Sequence, residues 1–234
     1  MFHFLQQLAN WFGDGAHWQG SSGIPALLWA TVKITAEAVL IATVLALPIG
    51  LVLGHTGRGG FLAINVTNVG RALPAIAVLV IGVQLLGIGE RPALLTLVVL
   101  SLPPIMTNTY TAVRQVDPDV IDAARGMGMT GRQILWRVEL PTSVPLIAAG
   151  VRTAAVQAVA TVTLAAYVSY ASFGTYIVEG IAVNNHVEVV AGSLLVIALA
   201  LATELGLGVA QRLVTPAGVR TGRSGRIAPT VSDA

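Results

Sequence analysis

The sequence predicts an all-α membrane protein, a polytopic helical bundle with about five transmembrane helices. Hydrophobic residues supply 55% of the chain and charged residues only 10%, against about 25% charged in soluble proteins. Apolar stretches of roughly 20 residues, long enough for a hydrocarbon core of ~30 Å, recur along the chain. The arginines of the connecting segments also take sides. Arg58, Arg114, Arg125, Arg132, Arg137, Arg212, Arg220, Arg223 and Arg226 fall on one side of a five-span arrangement, and Arg91 stands alone opposite. Basic residues accumulate on the cytoplasmic side of a bilayer. The N-terminus is therefore expected outside, the C-terminus in the cytoplasm, and the chain in the cell membrane.

Residues 1–25 form an N-terminal extracytoplasmic or interfacial segment. Phe4, Leu5, Leu8 and Phe12 recur at helical spacing with Trp11 beside them, which suits a short amphipathic helix lying on the membrane. The segment lacks the basic start, unbroken apolar run and small-residue cleavage pattern of a signal peptide. Glycines and Pro25 make residues 13–25 a loop. The bundle itself covers 26–214, and its first crossing is 26–53. Lys33 and Glu37 lie four apart there and can pair on one helix face near the interface. Residues 55–60 read as a polar turn and 61–71 as interfacial, with Arg71 marking the return into the membrane.

The second crossing is 72–88, with Pro74 tolerated in its first turn. A loop at 89–92 leads to the third, 93–113. Pro103 and Pro104 interrupt that helix, and Thr107, Asn108, Thr109, Tyr110 and Thr111 make its second half polar. Freed backbone groups survive in a bilayer only where neighbouring helices or water satisfy them. Pro103, Pro104, Asn108 and Thr109 can therefore line a path through the bundle. The hydroxyls can equally hold helices together. The fourth crossing, 143–168, is rich in Ala, Thr and Gly and carries Arg152; the fifth, 189–214, carries Glu204. The two charges stand at similar depth, so they can pair. Residues 215–234 read as a disordered cytoplasmic tail.

Between the third and fourth crossings, residues 117–141 are polar and basic, yet punctuated as two short helices. Asp117 followed by Pro118 is an N-cap with proline in the first helical position. Gly126 and Gly128 can end that helix. Thr130 opens a second one and Gln133, three residues on, completes a capping box. Leu140-Pro141 is expected to close it, because the residue before proline is pushed out of helical geometry. Such signals suit a rigid docking element outside the membrane.

Asp122-Ala123-Ala124, Gly128, Val138 and Leu140-Pro141 match the spacing of the EAA signature of ABC importer permeases, with Asp for Glu and Val for Ile. Arg71-Ala-Leu-Pro-Ala75, Asn108-Thr-Tyr-Thr-Ala112, Gly150-Val-Arg-Thr-Ala154 and Ala160-Thr-Val-Thr-Leu-Ala-Ala166 resemble the osmoprotectant branch of that family, whose members carry glycine betaine, choline, carnitine or proline betaine. The resemblance covers most of 26–214. It implies a type I ABC importer permease fold, with 117–141 as the coupling loop to a separate ATPase. It further implies ATP and Mg²⁺ on that ATPase, a second permease copy or paralogue, an extracytoplasmic solute-binding protein and the lipid bilayer as partners, and no nucleic acid. From the broken polar half-helix and the intramembrane charges, Pro103, Pro104, Asn108, Thr109, Arg152 and Glu204 are the translocation-path candidates.

One segment departs from the family pattern. The glycine-rich run expected after Ala166 is replaced by Val168-Ser-Tyr-Ala-Ser-Phe-Gly174, leaving Gly174 and Gly180 in step. Tyr167, Tyr170, Phe173 and Tyr176 gather here. Aromatic faces attract quaternary ammonium groups, although tyrosines at the end of a span more often anchor it at the interface. No P-loop is present, since Lys33 is the sole lysine and no glycine-rich run precedes it. The chain is thus not expected to be an enzyme or to bind a cofactor. Cysteine is absent and the 4 histidines are scattered, so no metal site is expected. The competing readings are a permease for methionine or another small solute, and an ion-driven secondary transporter, which predicts two related halves that the sequence does not display.

Overall fold

A computed structural model describes residues 2–58, 60, 61, 65, 70 and 72–214. Among these residues the regular elements are all helical. Helix α1 (Phe2–Gly13) and a 3-10 turn (Gly15–Trp18) precede the long α2 (Ile24–Thr56). Then come α3 (Ala75–Leu86), α4 (Glu90–Arg114), α5 (Pro118–Gly126) and α6 (Gly131–Ile134). A π turn (Leu135–Glu139) joins α6 to α7 (Leu140–Thr161), a 3-10 stretch (Val162–Val168) extends α7, and α8 (Gly174–Ala182) and α9 (His186–Val214) follow.

Among the described residues four helical stretches are long and apolar enough to cross a membrane: α2, α4, the rod Gly131–Val168, and α9. Helix α3 has 12 residues, a rise of only ~18 Å, so the expected second crossing is shorter than the sequence suggests. Chain direction nevertheless demands a crossing there. Lys33, early in α2, meets Glu90 at the start of α4 at 3.3 Å, while near their far ends Gly54 of α2 packs on Val113 of α4. Two helices that begin at one face and end at the other require the chain between them to return, and α3 is the apolar part of that return. Most of 61–71, Arg71 included, and the tail 215–234 lie outside the described residues.

The remaining directions follow from contacts at each end. Glu139, just ahead of α7, meets His55 at the far end of α2, whereas the Phe173 amide beyond α7 donates to Thr31 Oγ1 near the start of α2. Gln211, late in α9, donates to the Pro145 carbonyl early in α7. Residues 117–141 and the end of α9 therefore share one face, and α1 sits at the other.

Close backbone approach holds the centre together. Helix α4 lies between α2 and α7, and the facing positions are glycines: a Cβ on Gly50 would stand 2.7 Å from Thr109 Cβ, and one on Gly150 would stand 2.6 Å from Asn108 Cβ. Small residues permit such packing where lipid offers no hydrophobic drive between helices. Tight packing also explains why α4 runs unbroken through Pro103 and Pro104, against the expected interruption. Proline's fixed φ is helical, and neighbours on both sides hold the segment in line.

Two further expectations are revised. The 13–25 stretch is not wholly irregular: Asp14 caps the 3-10 turn by accepting from the Ala16 amide at 2.9 Å. The expected helix over the first thirteen residues is present as α1, and its Trp11 is buried edge-on to Tyr176 at 5.2 Å. Burial, with Glu188 and Glu179 nearby, pushes the Tyr176 phenol above its ordinary value, so it remains a donor, to the Ser22 carbonyl at 2.7 Å. Finally, Leu140-Pro141 does not close a helix. The π turn hands the Leu140 amide to the Leu135 carbonyl, and Pro141 enters the first turn of α7, where its missing N–H is harmless.

Candidate functional site

The stretch 117–141 is built from local signals. The Asp117 carboxylate accepts from the Asp119 amide at 2.9 Å, and Pro118 opens α5. At the other end of α5, the Met129 amide reaches back to the Ala124 carbonyl at 3.1 Å and the Gly128 amide to Arg125 at 2.9 Å. This pair of bonds is a Schellman closure, which needs a left-handed residue at its centre. Gly128 supplies it, with φ +79°. Thr130 and Gln133 form the reciprocal capping box that starts α6. Replacing Thr130 with alanine should cost about 1 kcal/mol of local helix stability. Hydrogen exchange of the α6 amides should then speed up about fivefold.

The sequence-predicted residues divide between two surfaces. Asp122 and Ala123 are exposed on α5, and Asp122 pairs with Arg125 at 3.2 Å. Such an exposed ion pair contributes little to stability. Ala124 is buried under α5, Gly128 is exposed at the turn, and Val138 is partly buried in the π turn. Leu140 packs with Leu51, Ala112, Val113 and Ile147 at the inner ends of α2, α4 and α7. Pro141 is exposed. The loop is thus anchored from below and open above. In this stretch Val120, Met127 and Trp136 expose 48%, 76% and 55% of their surfaces.

The path candidates are distributed over α4, α7 and α9. Pro103 and Thr109 are buried. The Thr109 hydroxyl donates to the Ile105 carbonyl at 2.8 Å, and its Cβ packs against Gly50. Asn108 is partly exposed and donates to the Pro104 carbonyl at 2.7 Å. Arg152 and Glu204 do meet, Nε to Oε1 at 3.4 Å, joining α7 to α9. Lys33 sits between Glu37 at 3.9 Å and Glu90 at 3.3 Å, and the second partner was not legible from spacing alone. The aromatic set is dispersed: Tyr170 donates to the Ala30 carbonyl, Phe173 is buried and Tyr167 is exposed. Among the described residues no cluster of three His, Asp or Glu side chains suits a metal ion.

One pair was missed. His55 Nδ1 lies 2.6 Å from Glu139 Oε2, and Glu139 is buried. An acidic residue directly ahead of an apolar span was the available signal.

A multi-crossing bundle with a capped, exposed helix pair at one face defines a helical membrane-transport component. The model of the family described as "Binding-protein-dependent transport system inner membrane component" matches residues 23–217, and the chain belongs to that family. It is 34% identical over 197 residues to the carnitine transport permease protein OpuCB of Listeria monocytogenes, covering 84% of this chain and 90% of that one. It is likewise 34% identical over 189 residues to the choline transport system permease protein OpuBB of Bacillus subtilis (strain 168), covering 81% and 87%. The fold matches a solved chain of the MetNI methionine ABC transporter in an inward-facing conformation with TM-score 0.70 and 23% identity, over 80% of this chain and 94% of that one.

Proposed function

We propose that this chain is the permease subunit of an ATP-driven importer for quaternary ammonium compatible solutes such as glycine betaine, choline and carnitine. The observation that carries the reading is the exposed helix pair of 117–141, rigidly capped at Asp117, Gly128 and Thr130. A floppy loop would absorb motion imposed by a partner, whereas a capped one transmits it. The apolar side chains it leaves exposed, Val120, Met127 and Trp136, suit a protein partner better than water. The substrate class follows from the relatives, which are named for carnitine and choline transport.

In this reading the patterned arginines put 117–141 and the C-terminus in the cytoplasm and the N-terminus outside. A separate ATPase carries ATP and Mg²⁺ and grips the helix pair through Asp122, Ala123 and Gly128, with Ala124, Val138, Leu140 and Pro141 seating the pair on the bundle. A second permease copy or paralogue completes the path, and an extracytoplasmic binding protein delivers the solute. ATP binding closes the ATPases, the helix pair moves with them, and the crossings reopen outward. Asn108 and Pro104, with the Arg152–Glu204 pair, are placed along the path.

The test is co-purification with the ATPase and binding protein, followed by reconstitution in liposomes. Glycine betaine, choline or carnitine should stimulate ATP hydrolysis severalfold and be taken up, while methionine should do neither. Uptake driven by an ion gradient without ATPase would replace this reading with a secondary transporter. Stimulation by methionine alone would keep the importer and change its substrate.

A further inference from the structure

We propose that His55 and Glu139 form the positioning link that makes the first crossing move with the coupling helices; this rests on the reading of 117–141 as the ATPase-gripped element. The two residues are 84 positions apart, and their side chains meet at 2.6 Å. Glu139 ends the π turn, with only 8% of its side chain exposed. His55 occupies the last turn of α2. On its other edge the imidazole faces Gly131 at the start of α6, where an added Cβ would stand 3.3 Å from Nε2. The ring is therefore held between both ends of the segment that runs from α6 through the π turn, and Leu51, Leu135, Leu140 and Ile147 pack in the neighbouring cluster.

A buried carboxylate without a partner is strongly disfavoured. Glu139 can therefore follow the coupling segment only if His55 comes with it, or if the segment unwinds to reach water. The π turn has already widened the helix at this point, and the pair fixes which way that widened turn faces. The pair need not add much to stability, since replacing both partners of a buried hydrogen bond by apolar groups of the same shape can be nearly neutral. What it supplies is a rigid cross-link between the end of α2 and the base of the helix pair. His55 and Glu139 are proposed to act through each other and through the helices they join, so they are positioning residues.

The experiment measures solute taken up per ATP hydrolysed by the reconstituted complex, using glycine betaine, choline and carnitine as probes. Glu139→Leu removes the buried carboxyl group and leaves without its partner only the His55 ring, whose side chain is 26% exposed. It should lower uptake per ATP about tenfold while ATP hydrolysis continues; His55→Leu should lower uptake per ATP as much and, because it strands the buried Glu139, should also lower the amount of protein in the membrane. The double variant should be no worse than either single one. Glu139→Gln, which can still hydrogen-bond the ring, should stay within about twofold of the original. Normal uptake per ATP in Glu139→Leu, or effects of the two Leu changes that multiply, would overturn the link. Failure of both Leu variants to accumulate would also overturn it, because the pair would then serve folding alone. If the unaltered complex neither binds the ATPase nor hydrolyses ATP on solute addition, the fault lies with the coupling reading instead.

Discussion

Replacing Gly128 with valine is expected to lower ATP-driven uptake at least about tenfold while leaving the protein in the membrane in normal amount. The reason is conformational. Gly128 has φ +79°, and a Cβ there would meet nothing within 4 Å, so space is not the constraint. A left-handed L-residue costs roughly 1–2 kcal/mol, more for a β-branched one. Escaping that strain breaks the two closing bonds to Ala124 and Arg125, each worth about 0.5–1.5 kcal/mol. Either way α5 loses its fixed end, and a tenfold population change needs only about 1.4 kcal/mol. Asparagine visits this region more readily than other side chains, so Gly128→Asn should retain more uptake than Gly128→Ala, and Gly128→Val the least. Uptake measured alongside the membrane-resident amount checks the order. If Asn proves as damaging as Val, bulk at an ATPase contact governs this position, and the conformational account is wrong.

What could be read from the sequence is what depends on near neighbours. The caps at Asp117 and Thr130 involve residues two and three positions away, so spacing and residue type suffice. The Arg152–Glu204 pair was legible too, because depth along two straight helices can be counted. His55 and Glu139 were not, since their meeting depends on how α2 and the π turn lie against each other, and a π turn shifts every later residue's facing. Proline was read ambiguously for a physical reason: the same missing N–H suits the residue after a helix and the first turn of the next. At Pro141 the second use applies, so the expected stop is a start. Pro103 and Pro104 show the same limit, since α2 and α7 keep α4 helical through both. The aromatic group at 167–176 was adjacent in sequence, but the left-handed Ser169 and the turn that follows send its members in different directions. Proximity along the chain did not make a cage.

Replacing Gly50 with leucine should instead remove the protein from the membrane or lower its melting temperature in detergent by about 5–10 °C. Here the obstacle is occupied space. The added Cβ would stand 2.7 Å from Thr109 Cβ and 2.9 Å from the Met106 carbonyl oxygen, and a backbone oxygen cannot rotate away. Overpacking a tight interior costs typically 1–3 kcal/mol, about 2–4 °C per kcal/mol for a chain of this size. The remaining leucine atoms must push α4 off α2. That displacement reaches α7 as well, because the opposite side of the same α4 turn seats Asn108 against Gly150. The contrast with Gly128 is the useful part: one glycine is needed for its backbone angle at an exposed turn, the other for its missing side chain in a three-helix contact. Thr109→Val provides the control. The hydroxyl is bonded within its own helix and the residue is fully buried, so the nearly isosteric change should shift the melting temperature by no more than about 4 °C and leave uptake within about twofold. Loss of uptake in Thr109→Val with an unchanged melting temperature would move Thr109 out of the packing and onto the solute's route.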